Sequence, residues 1–201
     1  MPTRTANGDL HFEDAPLFLP NLTPAEIIQQ GSFGGSYWRP IRLSVGLVAD
    51  DYRDLPADWI TGLNIDRYLT SPKYDPMVNK YGVACGQSLE QWDAAGWMNH
   101  TYDSRGWFQW YSRFYRGRRC EDDVRQISRW SKAAGEKGRF RRMALKRYLA
   151  LGIKSVMSDD GRNEYDPDVG VVVHQTLHHW AVEIRQQMLD RTWESPGSVG
   201  V

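Results

Sequence analysis

Trp107-Phe108-Gln109-Trp110-Tyr111-Ser112-Arg113-Phe114-Tyr115 is the stretch whose reading decides the fold. Six of its nine residues are aromatic, and wound as a helix they cover most of its circumference. Arg105, Gln109, Arg113 and Arg116 follow one another at spacings of four, four and three, so they form one polar stripe on that helix. A helix apolar on its other sides belongs in a core, and a buried polar stripe needs hydrogen-bond partners. Two kinds of partner suffice. Internal carboxylates such as Asp103, Asp122 or Asp123 can pair with the arginines, or the stripe lines a cleft for phosphate or carboxylate oxygens, whose geometry the planar guanidinium matches.

Downstream of this stretch the chain reads as helical. Gly117 ends the aromatic helix, and Glu121–Ala134 follows with Glu121, Asp122 and Asp123 at its positive end. Arg139–Met157 is a further helix with a bend expected at Gly152, and Asp168–Leu189 reads as one long helix with Val169, Val173, Leu177, Trp180, Ile184 and Met188 on a stripe. Gly135-Glu136-Lys137-Gly138 joins two of these helices, a connection that helix-turn-helix modules share with any helical hairpin. Upstream, Ser88-Leu89-Glu90-Gln91 is a capping box for a helix closed at Gly96, and Thr23-Pro24-Ala25-Glu26 starts another that stops at Gly31. Ile41–Val48 alternates as a strand does, and Asp50–Gly86 is broken by Pro56, Pro72 and Pro76 into loops and short turns.

The fold class expected is therefore mainly α: a single compact helical domain with a small β element near the N-terminus. Residues 1–22 read as an extended N-terminal arm and residues 23–194 as one globular domain. Within it 23–87 is loop-rich, with short helices and a strand, and 88–194 is helical. Residues 195–201 read as a mobile tail.

Composition narrows the class of protein. The 201 residues are 41% hydrophobic with nine tryptophans, which excludes intrinsic disorder and suits one well-buried core. No run reaches the roughly 18 apolar residues of a membrane span, and the N-terminal segment has no apolar signal core. No membrane partner is expected, and the compartment expected is cytoplasmic or nuclear, with Cys85 and Cys120 reduced.

Charge is balanced over the chain, at 25 basic and 25 acidic residues, but it is segregated. Between Arg113 and Arg147 stand 13 Lys and Arg against four acids, leaving 12 basic and 21 acidic residues elsewhere. Crowded like charges repel, so the segment needs a negative partner within the chain or outside it. Basic residues interleaved with aromatics suit phosphate and base contact. The function expected is binding of an anionic partner, nucleic acid first, through a helical surface over 105–147. Arg105, Gln109, Arg113, Arg116, Arg118, Arg119, Arg139, Arg142 and Lys146 would hold the anion, and Trp107, Trp110 and Tyr111 would stack on bases or form the wall behind them. One alternative is a small enzyme whose arginines hold a phosphorylated or carboxylate substrate, with His100, Asp103, Asp122 or Asp123 as acid or base. Another is a structural or interaction protein with internally paired charges.

Other constellations carry less. His174 and His178 share a helix face and are the only metal candidates, but they lack a third ligand nearby in sequence. Asp159–Asp168 resembles a calcium loop without the EF-hand glycine. Gly31–Ser36 lacks the lysine and spacing of a phosphate-binding loop. No cofactor is expected. Cys120, beside Arg118 and Arg119 ahead of a helix, reads as the thiol with the lower pKa.

Overall fold

A computed structural model describes residues 1–156 and 169–199. Among them are nine α-helices and two small antiparallel ribbons, a mainly α architecture. β1 (Thr3–Arg4) pairs with β2 (Leu10–His11), and β3 (Ile41–Leu43) with β4 (Gly46–Val48) in the register Ile41↔Val48 and Leu43↔Gly46. The single strand expected over 41–48 is thus a hairpin, turned at Ser44-Val45 just ahead of Gly46. The Asp159–Asp168 loop and the start expected for the last helix lie outside the described residues.

Helix α1 (Pro24–Gln30) begins as its sequence dictates: Thr23 accepts the Glu26 N–H, and the Glu26 carboxylate accepts the Thr23 N–H. Gly31 ends it at φ 97°, where a Cβ would collide with the Val78 carbonyl oxygen. That turn sends Phe33 under the C-terminal helices. α2 (Ala57–Ile60) and α3 (Ile65–Tyr68) are short, and α4 (Leu89–Ala94) carries the Ser88/Gln91 capping box.

The centre of the molecule is α5 (Trp107–Tyr115), of which seven residues are buried. Phe18 from the N-terminal segment inserts among its rings, with Trp130 at 4.9 Å, Phe114 at 5.5 Å, Trp110 at 5.6 Å and Tyr111 at 5.8 Å between centroids. Such edge-to-face pairs add about 0.5–1.5 kcal/mol each beyond area burial. Leu10, Phe12, Phe18 and Leu22 are all buried, so the arm is part of the same core. It is also tied to the far end of the chain: the Asn21 side chain donates to the Glu183 carbonyl (2.9 Å) and accepts the Glu183 N–H (2.7 Å).

Around α5 stand α6 (Asp123–Ala133), α7 (Arg139–Leu151) and α8 (Val171–His179), with α7 packed on both α6 and α8. The polar ends of the core tryptophans reach carbonyls: Trp107 Nε1 donates to His179 O at 3.0 Å and Trp130 Nε1 to Trp180 O at 2.9 Å. α7 stops at Gly152, in the left-handed conformation at φ 71°, instead of bending there. The long last helix also divides. After α8 the chain turns at Ala181 (φ 60°), and α9 (Gln186–Glu194) starts anew. Val182, whose N–H returns to Leu177 O at 3.0 Å, and Ile184 are buried in that break, so their apolar spacing serves a loop.

Candidate functional site

The stripe on α5 is satisfied from inside. Arg105 has no exposed surface. Its Nε and Nη2 grip the two oxygens of Asp51 at 2.7 Å, while Nη1 and Nη2 donate to the carbonyls of Tyr37 and Arg39. Gln109 accepts the Arg105 N–H and donates to Asp51. Arg113 binds Asp103 and Asp54, both at 3.1 Å, Arg118 binds the second Asp103 oxygen at 2.6 Å, and Arg116 donates to the Asp54 carbonyl. Arg119 pairs with Asp14, whose carboxyl is held below its usual pKa by that hydrogen bond. A depression of about 290 Å3 between Arg113, Arg116 and Arg118 therefore presents guanidiniums that are already engaged.

The stacking expected of Trp107, Trp110 and Tyr111 is corrected by their burial. Each is at most 2% exposed, with its ring packed on Phe18. A ring covered in this way has no free face to offer a base.

The candidate acid–base residues are scattered. Asp103 is buried between Arg113 and Arg118; burial pushes its pKa up while the two guanidiniums oppose it. For Asp122, burial would raise the pKa, but hydrogen bonds led by Arg125 and Asn99 outweigh it and lower it. Asp123 accepts from Trp110 Nε1 at 2.8 Å. His100 stands with Ser44 and Asp93, a trio that looks like a hydrolytic triad. A triad needs the imidazole between the other two. Here Nε2 contacts both Asp93 (2.7 Å) and Ser44 (3.2 Å), Nδ1 has no partner, and Ser44 donates to Asp93 itself.

The metal candidates are core histidines. His174 contacts Tyr148 Oη and Gly170 O, and His178 contacts Ile27 O; burial lowers both pKa values, that of His178 to about 3. Among the described residues no group of three or more His, Cys, Asp and Glu converges as a metal would require.

A second group of cations lies one helix further on, and of these Arg125 is already held by both oxygens of Asp122, at 2.6 and 2.7 Å. Arg125, Arg129 and Lys132 stand at spacings of four and three along α6. With Arg139 at the start of α7 they line an open basin of about 480 Å3. Its other walls include Trp92, Trp97 and Trp180, and no carboxylate lines it. Trp97 is 46% exposed, and Arg129 lies over the Trp92 ring at 5.4 Å. Asp122 binds Arg125 from outside the basin. Arg129 reaches only amide and carbonyl oxygens, at Trp97 and Gln126. Burial, then the charge of Arg125, push its pKa down, against a smaller opposite pull from the Asp122 carboxylate. Of the residues singled out from sequence, Arg139 lines the basin. Arg142 and Lys146 are exposed further along α7. The 125/129/132 spacing was legible within the basic segment, whereas the tryptophans come from α4, the loop after it and the end of α8, and no local pattern joins them.

Beyond the Trp92 and Trp180 rings lies a second, more enclosed cavity of about 190 Å3, reached by Phe33, Tyr37, Phe108, Cys85 and His179. Cys85 Sγ is 3.3 Å from His179 Nδ1. His179 Nε2 accepts from the Phe33 N–H at 2.9 Å and from Gln175 Nε2 at 3.0 Å. The Gln175 amide is oriented by Tyr81, whose N–H occupies its oxygen. The proton of this neutral imidazole therefore sits on Nδ1 and points at sulfur. His179 cannot take a proton from Cys85 in this arrangement, so the pair is not a nucleophile and its base. Burial pushes the Cys85 thiol up to about 11 and His179 well below its ordinary value. Cys120 also departs from expectation. Burial raises its pKa, and the Asp123 carboxylate, 3.3 Å from its sulfur, adds to the rise.

No protein-family model, curated protein or solved structure matches the chain. Among the described residues no helix is long and apolar enough to cross a membrane.

Proposed function

We propose that the protein binds an anionic partner, a single-stranded nucleic acid, in the basin between α4, α6 and the start of α7. The observation that carries this reading is the convergence of Arg125, Arg129, Lys132 and Arg139 on an open space walled by Trp92, Trp97 and Trp180. Cations that track a phosphate backbone beside ring faces on which bases stack are what sequence-tolerant single-strand recognition requires. Phosphate oxygens would add a charged acceptor for Arg129, whose hydrogen bonds go to the Trp97 carbonyl and the Gln126 amide, and the exposed part of Trp97 is open to a base.

Titration of tryptophan fluorescence with a short oligothymidylate at several salt concentrations tests the reading. Three phosphates neutralised on a single strand, by Arg129, Lys132 and Arg139, give a slope of log affinity against log salt of about −2. Absence of binding at low salt overturns the proposal. A mononucleotide that binds as tightly as the oligomer redirects it to a small phosphorylated ligand, the enzyme-type alternative.

A further inference from the structure

The enclosed cavity behind Trp92 and Trp180 has different chemistry from the basin and does not depend on it. Rings dominate its lining: Phe33, Tyr37, Phe108, Trp92, Trp107 and Trp180. Among the residues lining it, Arg39 is the only cation and no carboxylate takes part. Arg39 is already engaged, by Glu90 at 2.5 Å and by the Ser36 carbonyl at 2.8 Å. The one imidazole in the wall has both nitrogens committed, to Phe33, Gln175 and Cys85. A charged ligand entering here would lose its hydration and meet no free counter-charge. A flat, neutral one would lose little. The volume of about 190 Å3 also sets the size, since an apolar cavity of about 150 Å3 takes benzene.

From this we infer that the cavity is a second binding site, for a small neutral aromatic molecule of one or two rings, held between Phe33, Phe108 and Trp180 with the Cys85 thiol at one wall. The walls are positioned before any ligand arrives. Phe33 is stacked on His179 at 4.0 Å and fixed through its own N–H, and Trp180 packs tilted against Trp107 at 4.8 Å. Little ordering remains to be done on binding, which favours affinity from a small contact area.

Indole is a suitable probe, followed by saturation transfer from the protein in ligand-observed NMR. Transfer is expected with the unmodified protein, unchanged between low and high salt. It is expected to fall at least about tenfold when the space is filled by Thr176→Phe or, independently, by Cys85→Met. Indole-3-carboxylate should receive about tenfold less than indole for want of a counter-charge. Indole should also slow alkylation of Cys85 by iodoacetamide while leaving Cys120 unaffected. No transfer to indole, equal transfer to the carboxylate, or full transfer in a folded filled variant would each overturn the inference. Transfer lost in Trp97→Ala would do the same, because Trp97 lines the basin and not this cavity.

Discussion

Helix α6 and the stretch running from Arg105 into α5 each line up cations at helical spacing and put them to opposite uses. On α5 the stripe Arg105/Gln109/Arg113 is closed off by Asp51, Asp54 and Asp103. On α6 the stripe Arg125/Arg129/Lys132 opens on a basin with tryptophan walls and one carboxylate, Asp122, behind it. Helical spacing groups charges on a face. What the face does is decided by residues that folding brings opposite it, and for Arg105 that residue is 54 positions away. The contrast teaches that a buried arginine inside its own chain's carboxylates is scaffold, whereas one facing aromatic walls with only carbonyls for company is available.

The contrast can be broken most forcefully at Arg105. Arg105→Ala strands a buried carboxylate and two carbonyls, so it should cost about 3–5 kcal/mol in urea unfolding. A loss under about 1 kcal/mol would place α5 in the same class as α6. Trp97→Ala should weaken oligonucleotide binding by about 1–3 kcal/mol and leave unfolding nearly unchanged; equal losses in both would make Trp97 structural. Lys132→Ala should reduce the salt slope by about 1 without altering the urea midpoint.

A fourth test uses pH. The folded pKa of His178 is depressed to about 3, so above the unfolded value near 6.5 its neutral form costs nothing. As pH falls below that value the unfolded chain takes up a proton the folded one refuses, and stability declines until the pH reaches about 3. His178→Gln should flatten that decline by about one proton per molecule. The smallest effect is expected at Arg119→Ala, whose half-exposed pair with Asp14 should contribute about 1 kcal/mol or less.

Much of the scaffold is legible in the chain. Capping residues at Thr23 and Ser88 and the aromatic run at 107–115 locate their helices because those signals are local. The break at Ala181 is not, since Val182 and Ile184 continue a helical apolar spacing while being buried from a loop. The site was legible only in part, for the same reason. Charge segregation drew attention to 113–147, but nothing near Arg113 in sequence announces Asp54. Likewise nothing near Arg129 announces that Trp92 and Trp180 will stand beside it. Cys85 and His179 lie 94 residues apart, and their meeting depends on the turn at Gly31 that carries Phe33 beneath α8.

The double hydrogen bond between Asn21 and Glu183 has a kinetic corollary. Phe18 cannot settle among its rings until α5 and α6 exist, and the clasp beside it waits for a residue 162 positions later. During synthesis that wait lasts on the order of ten seconds at ordinary elongation rates. Throughout it the nascent polypeptide holds its aromatic residues without their final neighbours. Its maturation consequently waits for the segment around Glu183, and until that segment is made chaperones can reach those rings.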